Sequence, residues 1–174
     1  NSRCVSRCQL MQRLQIFTTG GTIDKLYFDA LSEFQIGAPV IGDILESMNV
    51  GFEFHVEELM RLDSLDMTDQ HRQQIRQRVS QADAQHILII HGTDGMVATA
   101  SWLDDIADKT IVLTGALQPA AFSQTDAVFN IGCAIGAIQV LDSGVFVAMN
   151  GRVFAADKVI KNRDAHRFEA LGSS

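Results

Sequence analysis

The chain has 174 residues, 47% of them hydrophobic, and 21 acidic against 14 basic side chains give it a net charge of −7. A chain of this length can bury one substantial core, and the excess of negative charge argues against nucleic acid as a partner. No apolar run approaches the ~20 residues of a membrane span, and the sequence opens without the apolar stretch of a secretory signal. We therefore expect a cytoplasmic protein without a membrane partner.

The first residues show no pattern typical of a folded element. We interpret residues 1–10 as unstructured or vector-derived sequence, residues 11–171 as a single domain, and residues 172–174 as a tail. The three cysteines do not form a disulfide framework. The acidic and histidine residues lack the spacing of metal ligands, so we expect neither a metal nor a cofactor.

The spacing of apolar residues predicts alternating strands and helices. Residues 24–38 have no clean period, and we expect a mobile loop there that leads into a helix with Pro39 in its first turn. The predicted strands are 14–18, 52–56, 86–90, 110–113, 145–149 and 152–155. The predicted helices are 39–48, 96–107, 126–140 and one that begins at Asp66 or Thr68 and ends near Gln81.

This alternation predicts an α/β fold, with an open, mixed, mainly parallel sheet that carries helices on both faces. The last two predicted strands flank Asn150-Gly151, a pair that readily adopts the positive φ angles of a tight type I′ turn. We therefore expect the sheet to end in a β-hairpin.

Two polar loops follow predicted strands, where open α/β sheets bind their ligands. Thr18-Thr19-Gly20-Gly21-Thr22 follows the first strand, and Gly92-Thr93-Asp94-Gly95 follows the strand 86–90. Taken alone, Thr93 and Asp94 could simply cap the next helix, and the glycine pair could mark an ordinary turn. Neither of the usual nucleotide-binding glycine fingerprints is present, so a phosphate site is poorly supported.

Together, these loops and their neighbours resemble the bacterial-type L-asparaginase family of amidohydrolases. The sequence TTGGTI is similar to the first signature of that family, LIIHGTDGMVATA to its second, and DSLDM to its substrate-binding segment. The stretches LTGALQP, AVFNIGCAIGA and VFVAMNGRVFAADKVIKN follow in the family's order. The similarity spans residues 13–171 and corresponds to the N-terminal catalytic domain alone, as in the shorter, single-domain members or in a truncated chain.

The resemblance implies a role for each matched residue. Thr22 matches the nucleophilic threonine, and Thr93, Asp94 and Lys161 match a second catalytic group. Ser64 and Asp94 would hold the α-carboxylate and the α-ammonium of an amino acid. The full set of implied substrate contacts is Gly21, Ser64, Leu65, Gly92 and Asp94.

Amide hydrolysis through an acyl-enzyme needs an activated hydroxyl, a route for its proton, and donors for the oxyanion. Tyr27, the only tyrosine, lies five residues beyond Thr22 and could relay the proton. Lys161 could do the same for Thr93, whose N–H suits an oxyanion. In the long family members the tyrosine lies further along, so this assignment of Tyr27 assumes a rebuilt lid. His91 is the other possible base, although imidazoles at strand ends are commonly structural.

We therefore expect an amidohydrolase that converts L-asparagine to L-aspartate and ammonia through a threonine acyl-enzyme. Leu65 occupies a position that is often polar in the family, which predicts weak or no activity on glutamine. A non-catalytic amino-acid-binding module and an ammonia-supplying amidotransferase subunit remain as alternatives. A domain without its usual second domain should expose an apolar patch, which predicts a homodimer or a higher homo-oligomer.

Overall fold

The computed structural model describes residues 10–28 and 33–172, with the backbone alone at 27, 28, 33 and 34. The four helices of these ranges are α1 (Ile41–Ser47), α2 (Asp69–Gln81), α3 (Met96–Ser101) and α4 (Ala127–Ile138). The strands are β1 (Arg13–Thr18), β2 (Lys25–Phe28), β3 (Glu33–Ile36), β4 (Glu53–Glu58), β5 (His86–Ile90), β6 (Thr110–Thr114), β7 (Gly144–Met149), β8 (Arg152–Ala155), β9 (Val159–Asn162) and β10 (Arg167–Ala170). Residues 1–9 of the predicted unstructured segment lie outside the described ranges.

The main sheet has six strands in the order β4-β1-β5-β6-β7-β8. Its first five strands are parallel, and β8 alone runs antiparallel, joined to β7 by the predicted hairpin. The four residues Ile87–Ile90 of β5 are all buried, as expected for a strand covered on both faces. The predicted mixed, mainly parallel sheet is confirmed.

The sheet is covered on both faces, which confirms the second part of the fold prediction. One face packs against α2, α3 and the β9–β10 hairpin, with Ile75, Met96 and Phe168 among the buried side chains. The other face packs against α1 and α4, through residues such as Leu45 and Ile131. Within the described ranges, no helix has the length and hydrophobicity that crossing a membrane requires.

Two local predictions are corrected, and one hairpin is present that the sequence did not predict. In the predicted loop 24–38, the strands β2 and β3 pair antiparallel, with Lys25 opposite Ile36, while residues 29–32 lie outside the described ranges. Four-residue strands place only two residues on each face, which is too short a pattern for a period of two to stand out. The same reason applies to the β9–β10 hairpin, which was not predicted. Helix α3 ends at Ser101 rather than 107. Beyond Ser101 the chain continues in tighter turns. Apolar residues keep a helix-like spacing through these turns, and for this reason the predicted helix was too long.

Candidate active site

The two polar loops leave the same edge of the sheet side by side. Strands β1 and β5 are parallel neighbours whose last residues, Thr18 and Ile90, stand opposite each other. The next residue, Thr19, donates both its backbone N–H and its hydroxyl to the carbonyl of Ile90, each over 3.0 Å. Both loops therefore begin from a common, fixed point.

Beyond that point, the loops touch through their glycines. Gly21 has φ 104°, a conformation that favours glycine, and a Cβ built on it would lie 2.7 Å from the Cα of Gly92. Backbone thus packs on backbone, with no side chain between. Since Thr22 follows Gly21 and Thr93 follows Gly92, the two threonines flank this contact.

Ser64 joins the same cluster from the segment after β4. A Cβ on Gly92 would lie 2.6 Å from the Ser64 Oγ, and this Oγ accepts the backbone N–H of Gly95 over 3.0 Å. Ser64 is buried, and its own hydroxyl proton is not used within the described part of the chain. By contrast, the neighbouring Leu65 side chain is 67% exposed.

Lys161 connects the second threonine loop to the β9–β10 hairpin. Its Nζ donates to Thr93 Oγ1 over 2.8 Å and to Asp94 Oδ1 over 2.9 Å. The hairpin is held in place by Val159 and Phe168, which are buried in the core. Lys161 thus reaches the site from 68 residues further along the chain.

The interpretation of Thr93 and Asp94 as helix caps is wrong. Helix α3 begins at Met96 after Gly95 and receives no side-chain capping bond. Instead, both side chains bind Lys161. Asp94 Oδ1 also lies 3.3 Å from the Nε of Arg163, a partner that sequence reasoning missed because nothing in its local pattern separates it from a surface arginine.

Several groups at this edge have hydrogen-bonding capacity to spare. Among the backbone and side-chain groups that the structure describes, the Thr22 hydroxyl has no hydrogen-bond partner, and the Thr93 N–H donates to no group. The second carboxylate oxygen of Asp94 is also unengaged there. Such groups can serve a polar ligand that enters between the loops.

Tyr27 lies on β2, where its backbone pairs with Phe34. It is therefore part of a strand and not of the loop that we expected. The role predicted for its side chain lies outside what the structure describes. The roles of the other predicted site residues also stay predictions, although the chain brings Gly21, Thr22, Ser64, Gly92, Thr93, Asp94 and Lys161 together.

Charges at the site alternate in sign. Lys25 on β2 pairs with Asp63 over 3.1 Å, next to Ser64. A hydrogen bond from the Leu65 N–H, followed by the interaction with Lys25, lowers the pKa of Asp63.

Among the described residues, no group of histidine, cysteine and acidic side chains could hold a metal ion.

His91 lies beneath the second loop and is fully buried. Its Nδ1 is 2.8 Å from the carbonyl oxygen of Gly92, and its Nε2 is 2.8 Å from the Thr99 hydroxyl. Both contacts are made at once if neutral His91 donates from Nδ1 and accepts at Nε2. The imidazole therefore fixes the Gly92–Thr93 peptide, and both of its nitrogens are already engaged by protein groups.

An open α/β sheet with hydroxyl, carboxylate and amine groups at the ends of its parallel strands defines a class of small-molecule sites. The particular family follows from comparison: the chain belongs to the asparaginase family, whose model "Asparaginase, N-terminal" matches residues 13–174.

Known proteins agree with this assignment. The chain is 29% identical over 163 residues to the probable periplasmic L-asparaginase of Haemophilus influenzae, an alignment that covers 87% of this chain and 46% of that protein. It is 33% identical over 98 residues to a glutaminase-asparaginase of Acinetobacter glutaminasificans, covering 53% of this chain and 30% of that one. The solved structure of the thermostable L-asparaginase from Thermococcus kodakarensis superposes with a TM-score of 0.80 at 23% identity, covering 94% and 52% of the two chains. The chain thus spans about half the length of relatives aligned along most of it.

The buried imidazole leads to a pH prediction. Desolvation lowers the pKa of His91 from its ordinary value of 6.5 to about 4. Because the unfolded chain binds this proton more tightly, His91 contributes stability that is present above pH 6.5 and is lost as the pH falls towards 4. In NMR titrations, the His91 ring resonances should stay constant from about pH 8 to about pH 5. A His91 midpoint near 6.5 would contradict the buried, neutral assignment.

Proposed function

We propose that this protein hydrolyses L-asparagine to L-aspartate and ammonia through an acyl-enzyme on Thr22. The observation that supports the proposal is the contact between Gly21 and Gly92, because Thr22 and Thr93 directly follow these two glycines in the chain. Membership of the asparaginase family supports the amide-hydrolysing chemistry. A cytoplasmic location and a homo-oligomeric state are parts of the same proposal.

The substrate is held through its charged α-substituents. Asp94 keeps one carboxylate oxygen that receives no donor from the described residues, and this oxygen accepts the α-ammonium. The Ser64 hydroxyl, whose oxygen is fixed by Gly95 N–H, donates to the α-carboxylate. Gripping the charged end of the substrate places the side-chain amide at the two threonines, so that binding energy is used for orientation.

The reaction then proceeds in two displacements. Thr22 Oγ attacks the side-chain carbonyl carbon, and Thr93 N–H stabilises the oxyanion. The C–N bond breaks, ammonia leaves with the proton that Thr22 gave up, and an aspartyl ester of Thr22 remains. Water attacks this ester, the C–O bond to Thr22 breaks, and the proton from water returns to Thr22 Oγ as aspartate is released.

The remaining residues manage the protons of these steps. Lys161 holds the oxygen of Thr93, so the Thr93 hydroxyl is free to donate a hydrogen bond to the departing nitrogen, which takes its proton from Thr22. We assign the relay from Thr22 to Tyr27 on the neighbouring strand β2. Lys161 and Tyr27 thus control proton transfer, whereas Asp94 and Ser64 position the substrate.

Two variants of the nucleophile test the proposal. Thr22→Val removes the hydroxyl at nearly constant volume and should lower ammonia release from asparagine by about a thousandfold or more. Thr22→Ser keeps a hydroxyl at the same place and should retain a measurable part of the activity. The measurement is a coupled ammonia assay, with folding of each variant checked by circular dichroism.

The outcomes separate the alternatives. Full activity in Thr22→Val would rule out the proposed nucleophile. Heat of asparagine binding in calorimetry without ammonia release from the wild type would favour the binding-module alternative.

Substrate preference gives a second test, at Leu65. Its apolar side chain offers no hydrogen bond to a longer substrate, so the specificity constant for glutamine should lie well below that for asparagine. Leu65→Gln should raise the glutamine-to-asparagine ratio about threefold to tenfold, the range of one added polar contact. Val153→Gln, a similar change at an exposed position on β8, serves as the control. An unchanged ratio in Leu65→Gln would show that Leu65 does not set the preference.

A further inference from the structure

Asp24 is a buried carboxyl group to which the proposed mechanism gives no part. It is the last residue of the short 3₁₀ turn that begins with Thr22, and only 2% of it is exposed. Sequence reasoning placed it in a loop and gave it no role. Buried acidic residues without a paired charge are uncommon, so this one needs a physical account.

Three hydrogen bonds make Asp24 the junction of the segments around Thr22. Its N–H donates to the carbonyl of Gly21 over 3.3 Å, and its own carbonyl accepts the N–H of Gly37 over 2.7 Å. Its Oδ1 accepts the N–H of Val40 over 3.0 Å, just before α1. One residue therefore ties the Thr22 turn to the end of the β2–β3 segment and to the start of a helix.

The second carboxylate oxygen of Asp24 is buried and receives no hydrogen bond from the described residues. Burial, the largest effect, and the charge of Glu58 raise the pKa of Asp24 to about 6, against the opposing effects of the Val40 N–H and of Arg61. The other charged groups on the packed elements are engaged or exposed: Lys25 pairs with Asp63, and Asp43 on α1 is exposed. Near pH 6, the carboxyl group of Asp24 is therefore present in both its charged and its neutral form.

We propose that Asp24 is a positioning residue whose negative charge holds the Thr22 turn in the geometry for attack. This inference rests on the proposed function of Thr22. The charged carboxylate makes a stronger, charge-assisted bond to Val40 N–H than the neutral acid does. Protonation removes the charge and so weakens this bond, and the turn loosens.

The activity of the wild-type protein on asparagine should therefore fall on acidification, with a midpoint near pH 6. Asp24→Asn keeps an oxygen for Val40 but carries no charge. Its kcat should be about tenfold lower than that of the wild type near pH 8, a cost expected of a small misplacement of the nucleophile, and should not change across about pH 5 to pH 8. Asp43→Asn, a neutralised carboxylate on the adjacent helix, should keep the wild-type profile.

A readout that does not need turnover separates this inference from the proposed function. The methyl resonance of isotopically labelled Thr22 should shift with a midpoint near pH 6 in the wild type and should not titrate in Asp24→Asn. If no variant releases ammonia, the proposed function fails, and this titration still decides whether the charge of Asp24 controls the Thr22 turn.

Unfolding measurements give the sign of the charge effect. Because the pKa of Asp24 in the folded protein is raised from 3.8 to about 6, the wild type loses stability as the pH rises through this window. The melting temperature of Asp24→Asn relative to the wild type should therefore increase between about pH 4 and about pH 7.

If Asp24→Asn does not fold, Asp24→Ser, a neutral residue that can still accept from Val40, answers the same questions. A folded neutral variant that keeps the acid limb and the full rate, or a Thr22 methyl that does not titrate in the wild type, would overturn the inference.

Discussion

The close contact of Gly21 with Gly92 is the constraint on which the site depends. Two loops from neighbouring parallel strands can meet this closely only where neither carries a side chain. An added methyl group at Gly21 would fall within 2.7 Å of the Gly92 backbone, so the loops would separate and the threonines with them. The sheet sets the direction of both loops, and the two glycines allow the backbones of the loops to come into contact.

Around this contact, the protein keeps polar groups that are fixed in place but not fully used. Ser64 Oγ and Asp94 Oδ1 are each held by one or more donors, which orients the side chain while leaving hydrogen-bonding capacity that no described residue uses. Unused capacity of this kind lowers stability, and proteins tolerate it where a ligand completes it. Beneath the loops, buried neutral His91 supports the Gly92–Thr93 peptide, so the second loop is ordered from the core of the protein.

The sequence predicted those parts of the molecule whose patterns are local and long enough to read. The apolar run Ile87–Ile90 and the spacing along α4 gave the sheet and its helices, and the Asn150-Gly151 turn gave the terminal hairpin of the sheet. The short strands β2, β3, β9 and β10 were not predicted, because four residues are too few to show a period of two. Lys161 was placed at the site through the family resemblance, since only the fold brings it to Thr93 across 68 residues. The roles of Arg163 and Asp24 could not be predicted from the sequence. The local sequence indicates neither that Arg163 pairs with Asp94 nor that Asp24 is buried.

A crystal structure with L-aspartate, the product of the proposed reaction, tests the central claim most directly. The account predicts the α-ammonium on Asp94, the α-carboxylate on Ser64, and the side-chain carboxylate between the hydroxyls of Thr22 and Thr93, with both at hydrogen-bonding distance. Aspartate bound elsewhere, or bound with only one of the two threonines within reach of that carboxylate, would contradict the view that the glycine contact builds a single site from two loops.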